Sequence, residues 1–469
     1  MLKKKIQKRN FLFLLSDQHR GDWIPYNKNE LHRLRMKRIP IRMPNIEEIM
    51  HRGVTFTNAI TPSPLCAPAR ACLARGLRYS GCGVVNNQEN LPLNKKTYYS
   101  VLREHGYCVG SVGKLDLHKP TFFWGLNGWI PDLDTLGFTH AIDNEGKYDA
   151  VFSIIRDSRV KEALKKNEQP SYIPKGPYMN YLAKNNLLKI HLNDFLQRSV
   201  VYSKTKPFKF FNTNPTILPE EAYCDNWLTK NGIEMLKKFP INKPWHLVVN
   251  FTGPHAPWDV TKRMKKHWNN VSFPKPFNGQ EETHKENQKI RQNYAAMLEN
   301  IDRNIGLLID EVKKRGELDN TIIIYSSDHG EMLGDFNKYG KRIPERGSIK
   351  IPLIISGPSI SKGMYCDELV ELQDLTSTIV DYAEAIMPEA KDSISLKPLL
   401  EGMTKNHRKN QISSVNPWKM ISTKEYKLII GKNDKIRLYS LEDDPWESIN
   451  ISKEKPEIVK KLYKELEKE

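Results

Sequence analysis

The sequence predicts an α/β fold in which helices sandwich a large, mainly parallel or mixed sheet, followed by a small antiparallel sheet with one helix. Two patterns carry this prediction. Short apolar runs, typical of strands buried on both faces, alternate with helical stretches over most of the chain. After about residue 400 the pattern changes to closely spaced short strands and a final helix. The 469 residues, 39% hydrophobic and 27% charged, are ordinary for a soluble globular protein.

Buried strands and intervening helices are predicted at eight places in the first 400 residues. Because the carboxyl ends of parallel strands meet at one edge of a sheet, catalytic side chains are expected at that edge. The predicted strands are 11–15, 246–251, 321–325 and 352–355, and the predicted helices are 46–51, 97–105, 293–314 and 375–385.

Two domains are predicted. Residues 1–400 form a catalytic domain, and residues 401–469 form a small subdomain. Within the first, residues 140–240 show little periodicity and many Asn, Lys, Pro and aromatic residues, so we interpret them as insertions over the sheet edge that select the substrate. The small subdomain is built from strands at 411–415, 420–422, 426–430 and 435–439 and a helix that begins at Pro456.

The net charge of +18 arises from 73 Lys and Arg residues against 55 Asp and Glu residues. These basic residues are scattered in Lys-rich clusters mixed with Glu or Asn, which is typical of a solvated surface. No nucleic-acid-binding signature accompanies them, so no nucleic-acid partner is predicted. The six cysteines form no CxxC pair and no zinc spacing, which predicts reduced thiols; a disulfide between Cys72 and Cys82 is an open alternative.

The beginning of the chain predicts a buried strand. A basic run from Lys3 to Arg9 precedes five apolar residues, fewer than the roughly 7–15 of a secretory signal. No stretch reaches the roughly 20 apolar residues needed to span a bilayer. We therefore expect a cytoplasmic protein with no membrane partner; a secreted or periplasmic location is the alternative if a leader precedes this start.

Cys66 is predicted to lie at the beginning of a helix. The segment 61–64, Thr-Pro-Ser-Pro, favours extended backbone, Pro68 suits a first helical turn, and Gly76 suits a helix end. At a helix N-terminus, the free amide groups and the helix dipole favour an anion, either a thiolate or a bound sulfate.

The pattern from Cys66 through Pro68 to Arg70, followed by Leu73 and Gly76, resembles the signature of the type I sulfatases of the alkaline phosphatase superfamily. The resemblance implies an alkaline-phosphatase-like fold and a sulfuric ester hydrolase. It also implies that a formylglycine-generating, sulfatase-maturating enzyme oxidises Cys66 to 3-oxoalanine (formylglycine), the precursor of the nucleophile.

Two acidic pairs follow predicted strands. Asp17 and Gln18 follow the first strand, and Asp328 and His329 come shortly after the strand at 321–325, so both pairs are expected at the same sheet edge around a cation. The resemblance implies that these four residues and residue 66 bind one metal, which is calcium in most of the family. Because imidazole is a softer ligand than calcium normally selects, manganese and magnesium are alternatives.

The segment 106–118 resembles the second sulfatase signature, which implies that Lys114 stabilises the nucleophile and a substrate oxygen. Many members carry a His two residues after this Lys, where the present chain has Asp116. Since side chains alternate in an extended segment, Lys114, Asp116 and His118 would share a face. His118 is then expected to take the place of that His as a base, displaced along the strand by roughly 7 Å.

Three further residues complete the implied site. His255, in a His-x-Pro pattern after an apolar strand, resembles the histidine that protonates the leaving group. Lys341, at the end of a Gly-Lys pair, resembles the family's sulfate-binding lysine. Arg70 is expected to hold developing negative charge together with the lysines. The segment 438–447 also resembles the end of many sulfatases.

The sequence thus predicts hydrolysis of a small-molecule or carbohydrate sulfate ester, with substrate and oligomeric state undetermined. One alternative is a phosphonate monoester or phosphodiester hydrolase of the same superfamily. Another is a non-catalytic, basic binding protein that retained the fold, motivated by the net charge and by the missing His at position 116.

Overall fold

Eight strands form the large sheet of the computed structural model, which describes residues 8–119, 123–147, 149–151, 162–163, 165–166, 168, 174–198 and 212–468. Their order is β4-β3-β5-β1-β6-β7-β2-β8. All neighbours run parallel except β7, which is antiparallel to both β6 and β2. The predicted mainly parallel or mixed sheet is confirmed. The strands are β1 Asn10–Asp17, β2 Gly53–Ile60, β3 Cys108–Gly113, β4 His140–Asp143, β5 Trp245–Pro254, β6 Thr321–Ser327, β7 Leu353–Ser356 and β8 Met364–Glu371.

Helices cover both faces of this sheet, because successive side chains of a strand point to opposite faces. Leu12 and Leu14 of β1 pack into one core with the helices Cys224–Lys238 and His284–Lys314. Phe11, Phe13 and Leu15 pack into the other core with the helices Cys66–Arg75 and Asp374–Tyr382. The remaining described helices are Lys28–Arg33, Pro44–His51, Tyr98–Glu104, Pro131–Thr135, Pro177–Lys184, Leu188–Arg198, Lys262–Lys266, Arg346–Ile349, Lys397–Leu400 and Pro456–Leu466.

The small sheet is antiparallel throughout, as predicted, with the order β12-β11-β10-β9. One face packs against the terminal helix through Leu462 and Leu466. The other face packs against Ile60, Leu65 and Ile349 of the first domain. The small sheet therefore supports the backbone that leads into Cys66. Its strands are β9 Gln411–Val415, β10 Trp418–Ser422, β11 Tyr426–Ile430 and β12 Ile436–Ser440.

Two parts of the range 140–240 are integral to the large sheet and its helical cover. The interpretation of this range as substrate-selecting insertions stays a prediction, and much of it, including 152–161 and 199–211, lies outside the described residues. β4 pairs with β3 at the sheet edge, and the helix Cys224–Lys238 packs on the sheet, where Gly232 lets Leu308 and Val249 approach. Their apolar residues are interrupted by polar ones, so the pattern is weak. The boundary near residue 400 stays a prediction. Among the described helices, none has the length and apolar composition required to cross a bilayer.

Candidate active site

The ends of four neighbouring parallel strands place the predicted site residues together. In the register of the sheet, Asp17 lies opposite Pro254, and Ser16 lies opposite Ser327. Asp328 follows β6 directly, as His255 follows β5 and Lys114 follows β3. Residues that are far apart in the chain therefore meet at one edge of the sheet, as expected for a parallel arrangement.

Cys66 is the first residue of its helix, which ends at Gly76 with a left-handed φ of 66°. Its side chain is buried. Sγ lies 3.3 Å from Nε2 of His329 and 2.8 Å from Nζ of Lys341. Burial and the charge of Asp17 raise the pKa of the thiol, but nearby cations outweigh them and lower it to about 7. Position 66 thus lies in a buried environment that stabilises negative charge.

Four side chains offer metal-ligand atoms that all lie within 4.8 Å of one another: Asp17, Cys66, Asp328 and His329. His329 donates from Nδ1 to the carbonyl oxygen of Gly330 at 3.0 Å, so its Nε2 is left with a lone pair. This Nε2 lies 3.7 Å from Oδ1 of Asp17 and 3.5 Å from Oδ1 of Asp328. Two carboxylates and one correctly oriented imidazole therefore fit a divalent cation.

Gln18 adds an amide oxygen to this donor set. It follows β1 with a left-handed φ of 71°, and its backbone N–H donates to Oδ1 of Asp328 at 3.0 Å. Its side-chain nitrogen donates to Glu331, whereas its buried Oε1 has no hydrogen-bond partner among the described residues. Because a buried acceptor is normally satisfied, this unpaired oxygen, on the residue that follows Asp17 in the chain, supports a bound cation.

Arg70 orients the acidic ligands rather than facing open solvent. Its Nε donates to Oδ2 of Asp328 at 3.0 Å, and its Nη1 donates to Oδ1 of Asn250 at 3.0 Å and to the carbonyl oxygen of Lys114. Nη2 lies 3.8 Å from Oδ2 of Asp17. The guanidinium of Arg70 therefore holds the carboxylates of Asp17 and Asp328 in place. Its expected effect on developing negative charge is thus indirect, through these carboxylates.

Lys114 contacts the carboxylates of Asp17 and Asp116, the latter at 3.1 Å. Burial lowers the pKa of Lys114, but Asp116 and Asp17 outweigh burial and hold it well above its usual value. Asp116 also pairs with Lys119 at 3.3 Å, and Lys119 pairs with Asp149 at 2.8 Å. A chain of alternating charges thus runs from Asp17 to Asp149.

The prediction of an extended segment through His118 is wrong. β3 ends at Gly113, and Asp116 adopts a left-handed φ of 57°, so the alternation of side chains is interrupted. The ring of His118 instead pairs with Asp132, with 2.8 Å between Nδ1 and Oδ2. Among the described contacts, none joins His118 to Cys66; Asp116 and Lys119 approach the site more closely through Lys114.

His255 and Lys341 flank the acidic ligands. Nδ1 of His255 lies 2.5 Å from the carbonyl oxygen of Ala256. Burial and the charge of Lys341 hold the pKa of His255 well below its usual value. Nζ of Lys341 lies 3.0 Å from Nε2 of His329 and 4.0 Å from Oδ1 of Asp17. The charge of the predicted sulfate-binding lysine therefore acts on the predicted proton donor.

Three supporting residues were not predicted. Asn250 holds Arg70, Glu331 holds Gln18, and Asp225 accepts hydrogen bonds from the backbone of Thr252 and Gly253 where β5 ends. Asn250 did leave a signal, because it is polar within an apolar strand. Glu331 also left a signal, because it comes only three residues after Asp328. Nothing in the sequence around Asp225 indicated a contact with the end of β5.

The family is decided by comparison with known proteins. The family model described as sulfatase matches residues 9–385, which is most of the chain. The chain belongs to the sulfatase family. This sulfatase also matches the family described as N-sulphoglucosamine sulphohydrolase, C-terminal, over residues 334–469. Its activity is the hydrolysis of sulfate esters, and the family implies a divalent metal and a formylglycine.

Individual relatives cover nearly the whole sulfatase. An arylsulfatase of Clostridium perfringens is 26% identical over 498 residues, covering 98% of this chain and 95% of the relative. A solved protein in complex with its substrate D-glucosamine-2-N,6-O-disulfate has a TM-score of 0.72 at 21% identity, covering 98% and 97%. The phosphonate monoester hydrolase of Agrobacterium radiobacter has a TM-score of 0.75 at 19% identity, covering 98% and 95%. These two structures show that the alkaline-phosphatase-like fold is shared.

Proposed function

We propose that this sulfatase hydrolyses sulfate esters of carbohydrates, with formylglycine formed from Cys66 as nucleophile and calcium as the metal. One observation carries the proposal. The buried side chain of residue 66 lies at a helix start, within contact distance of His329 and Lys341 and beside Asp17. A nucleophile, a cation site and a positively charged side chain thus share one small space.

The metal would be held by Asp17, Gln18, Asp328 and His329 together with residue 66. When bound, it supplies Lewis-acid stabilisation of negative charge on the nucleophile and the sulfate. Calcium is favoured because Asp17, Gln18 and Asp328 each offer an oxygen ligand. Manganese is the competing ion, because His329 contributes an imidazole nitrogen.

The side chains of the protein divide the remaining chemistry. Lys341 and Lys114, whose ammonium groups lie against residue 66 and Asp17, hold the negative charge of the sulfate. Arg70 keeps Asp17 and Asp328 in place. His255 protonates the alcohol as the bond between sulfur and the ester oxygen breaks. A bound sulfate ester favours this protonated imidazole, because a nearby anion stabilises the charged form.

Support for a sugar substrate comes from the structural neighbour whose bound substrate is a glucosamine disulfate. The phosphonate monoester hydrolase has the same fold, so sulfate and phosphonate esters have to be compared directly. We expect faster turnover of sulfated N-acetylglucosamine than of an aryl phosphonate; the reverse order would assign the site to phosphonates.

The decisive measurement is the mass of the peptide that contains residue 66, from protein produced together with a maturating enzyme. In the expected product, oxygen has replaced sulfur and two hydrogens are lost. Metal analysis of the same sample should give one calcium per chain; one manganese per chain would correct the assignment of the ion.

Replacement of the nucleophile provides the functional test. Cys66→Ala should abolish sulfatase activity and leave thermal unfolding unchanged, because alanine suits a helix start inside a packed core. Cys108→Ala is the matched control, since Cys108 is partly buried on β3 and its variant should keep full activity. Sulfatase activity retained in Cys66→Ala would refute the proposed nucleophile.

A further inference from the structure

Glu331 is a fully buried carboxylate that the mechanism above does not use. Its Oε2 accepts a hydrogen bond from the side-chain nitrogen of Gln18. Its Oε1 accepts hydrogen bonds from the backbone N–H groups of Leu333 at 3.1 Å and Gly340 at 2.5 Å. One side chain therefore connects the loop after β1 with both ends of the loop that leads to Lys341.

The contact with Glu331 decides which end of the Gln18 amide is left to bind a cation. The hydrogen bond to Oε2 of Glu331 comes from the side-chain nitrogen of Gln18, so the NH₂ end of the amide is engaged there. The oxygen of the amide is then directed to the other side, where it has no hydrogen-bond partner among the described residues. Only the oxygen end of an amide binds a divalent cation, so Glu331 fixes the competent orientation of Gln18.

The contact with Gly340 determines the backbone position directly before Lys341. Met332 donates from its N–H to the carbonyl oxygen of Gly340 at 3.1 Å, so the loop is closed by two hydrogen bonds at its base. Gly340 has a left-handed φ of 83°, a backbone conformation that residues with a side chain rarely adopt. From this base, Lys341 reaches to 2.8 Å from Sγ of Cys66.

We propose that Glu331 is a positioning residue that presents the oxygen of Gln18 to the metal and holds the backbone from which Lys341 reaches residue 66. This inference rests on the proposed function, because it takes Gln18 as a metal ligand. The carboxylate of Glu331 has two oxygens, one for the side chain of Gln18 and one for the backbone of Leu333 and Gly340. A glutamine at this position has a single accepting oxygen, and its NH₂ group would point at another donor.

Glu331→Gln tests the proposal by a measurement that needs no activity. Calcium or manganese is titrated into EDTA-treated protein in a calorimeter, for the wild type and the variant. We expect the variant to bind the ion about 10- to 100-fold more weakly, which is the usual effect of losing a residue that orients a metal ligand. In a Gln18→Ala background, the same change should weaken binding little further, because its target is already absent.

Turnover at saturating metal tests the second half of the proposal. Glu331→Ala removes both accepting oxygens, and we expect its kcat to remain about tenfold below the wild type when the ion fully occupies it, since Leu333 and Gly340 lose the acceptor that holds the backbone before Lys341. Full recovery of kcat at saturating metal would overturn the link to Lys341.

Glu371→Gln is the matched control. Glu371 is also fully buried, accepts from the side-chain nitrogen of Gln373 and from the backbone of Ile412, and binds Arg78. Its variant should lower the thermal midpoint without changing metal affinity. If Glu331→Gln does not fold, Glu331→Asp, which keeps the charge on a shorter side chain, should weaken metal binding in the same assay.

The outcomes separate the two claims. A wild type that binds the ion and a Glu331→Gln variant of equal affinity would refute the role of Glu331 alone. A wild type that binds neither ion would refute the metal site of the proposed function and the inference that rests on it.

Discussion

Nζ of Lys341 lies 2.8 Å from Sγ of Cys66 and 3.0 Å from Nε2 of His329, although Cys66 begins a helix 275 positions before Lys341. Replacement by alanine removes a positive charge from the position where the sulfate is expected. We predict that Lys341→Ala lowers kcat by about 10²- to 10³-fold, the usual effect of removing one group that stabilises charge in the transition state. Steady-state kinetics on a sulfate ester checks this.

Lys338→Ala serves as the control for that prediction. The side chain of Lys338 is 47% exposed and pairs with Glu345 at 2.9 Å on the same loop. Its variant should keep the wild-type kcat. Equal losses in both variants would show that the loop, rather than the ammonium group of Lys341, is responsible.

Asp116 separates two buried lysines, Lys114 and Lys119. We predict that Asp116→Asn lowers the free energy of unfolding by about 3–5 kcal/mol, because breaking a buried ion pair leaves uncompensated charge. Burial raises the pKa of Asp116, but Lys114 and Lys119 outweigh burial and depress it, so its contribution is present above the ordinary carboxyl pKa of 3.8 and is lost only in stronger acid.

Urea unfolding checks this prediction at several pH values. The difference between wild type and Asp116→Asn should stay constant from pH 5 to pH 8. Asp132→Asn is the control, since Asp132 is 30% exposed and pairs with His118; its effect should be far smaller. A difference for Asp116→Asn that disappears at pH 5 would contradict the assignment of an ionised carboxylate.

Glu145 is buried, and its Oε1 has no hydrogen-bond partner among the described residues. Burial raises its pKa from 4.5 to about 7, so between these values the folded protein keeps a proton that the unfolded chain releases. Stability therefore falls as the pH rises through this window. The loss amounts to roughly 3 kcal/mol, because a tenfold change in proton affinity corresponds to about 1.4 kcal/mol.

Glu145→Gln should remove this dependence, because glutamine stays neutral. We expect the variant to gain stability relative to the wild type as the pH rises from 5 to 8, measured by urea unfolding. Glu104→Gln, at a side chain that is 55% exposed and paired with Lys96, should show no comparable trend. Parallel curves for wild type and Glu145→Gln would refute a buried group that ionises near pH 7.

The sheet and the meeting of Asp17 and Asp328 at one edge of it were predictable from the sequence because they depend on local patterns. The strand predicted at 11–15 lies within β1, and the run of apolar residues ends where Asp17 begins the polar site. Similarly, Asp328 follows the predicted strand at 321–325 by only a few residues. Parallel strands then bring these ends together, which needs no knowledge of side-chain contacts.

The failures involve backbone geometry and long-range contacts. His118 was assigned by an alternation that the left-handed backbone of Asp116 breaks, and no feature of the sequence marks that conformation. Glu331 and Asn250 act through partners 313 and 180 positions away, Gln18 and Arg70. Such pairings are fixed only when the whole sheet assembles.

Under the proposed function, the burial of Cys66 sets a time limit on its maturation to formylglycine. Its side chain is 2% exposed, so an enzyme that has to surround this cysteine cannot reach it after the sheet has closed. Asp328 and His329, whose side chains help to enclose residue 66, are synthesised long after it. At roughly 5–20 residues per second, translation separates them by tens of seconds. The conversion of Cys66 therefore competes with folding of the growing chain, and slower translation should raise the matured fraction.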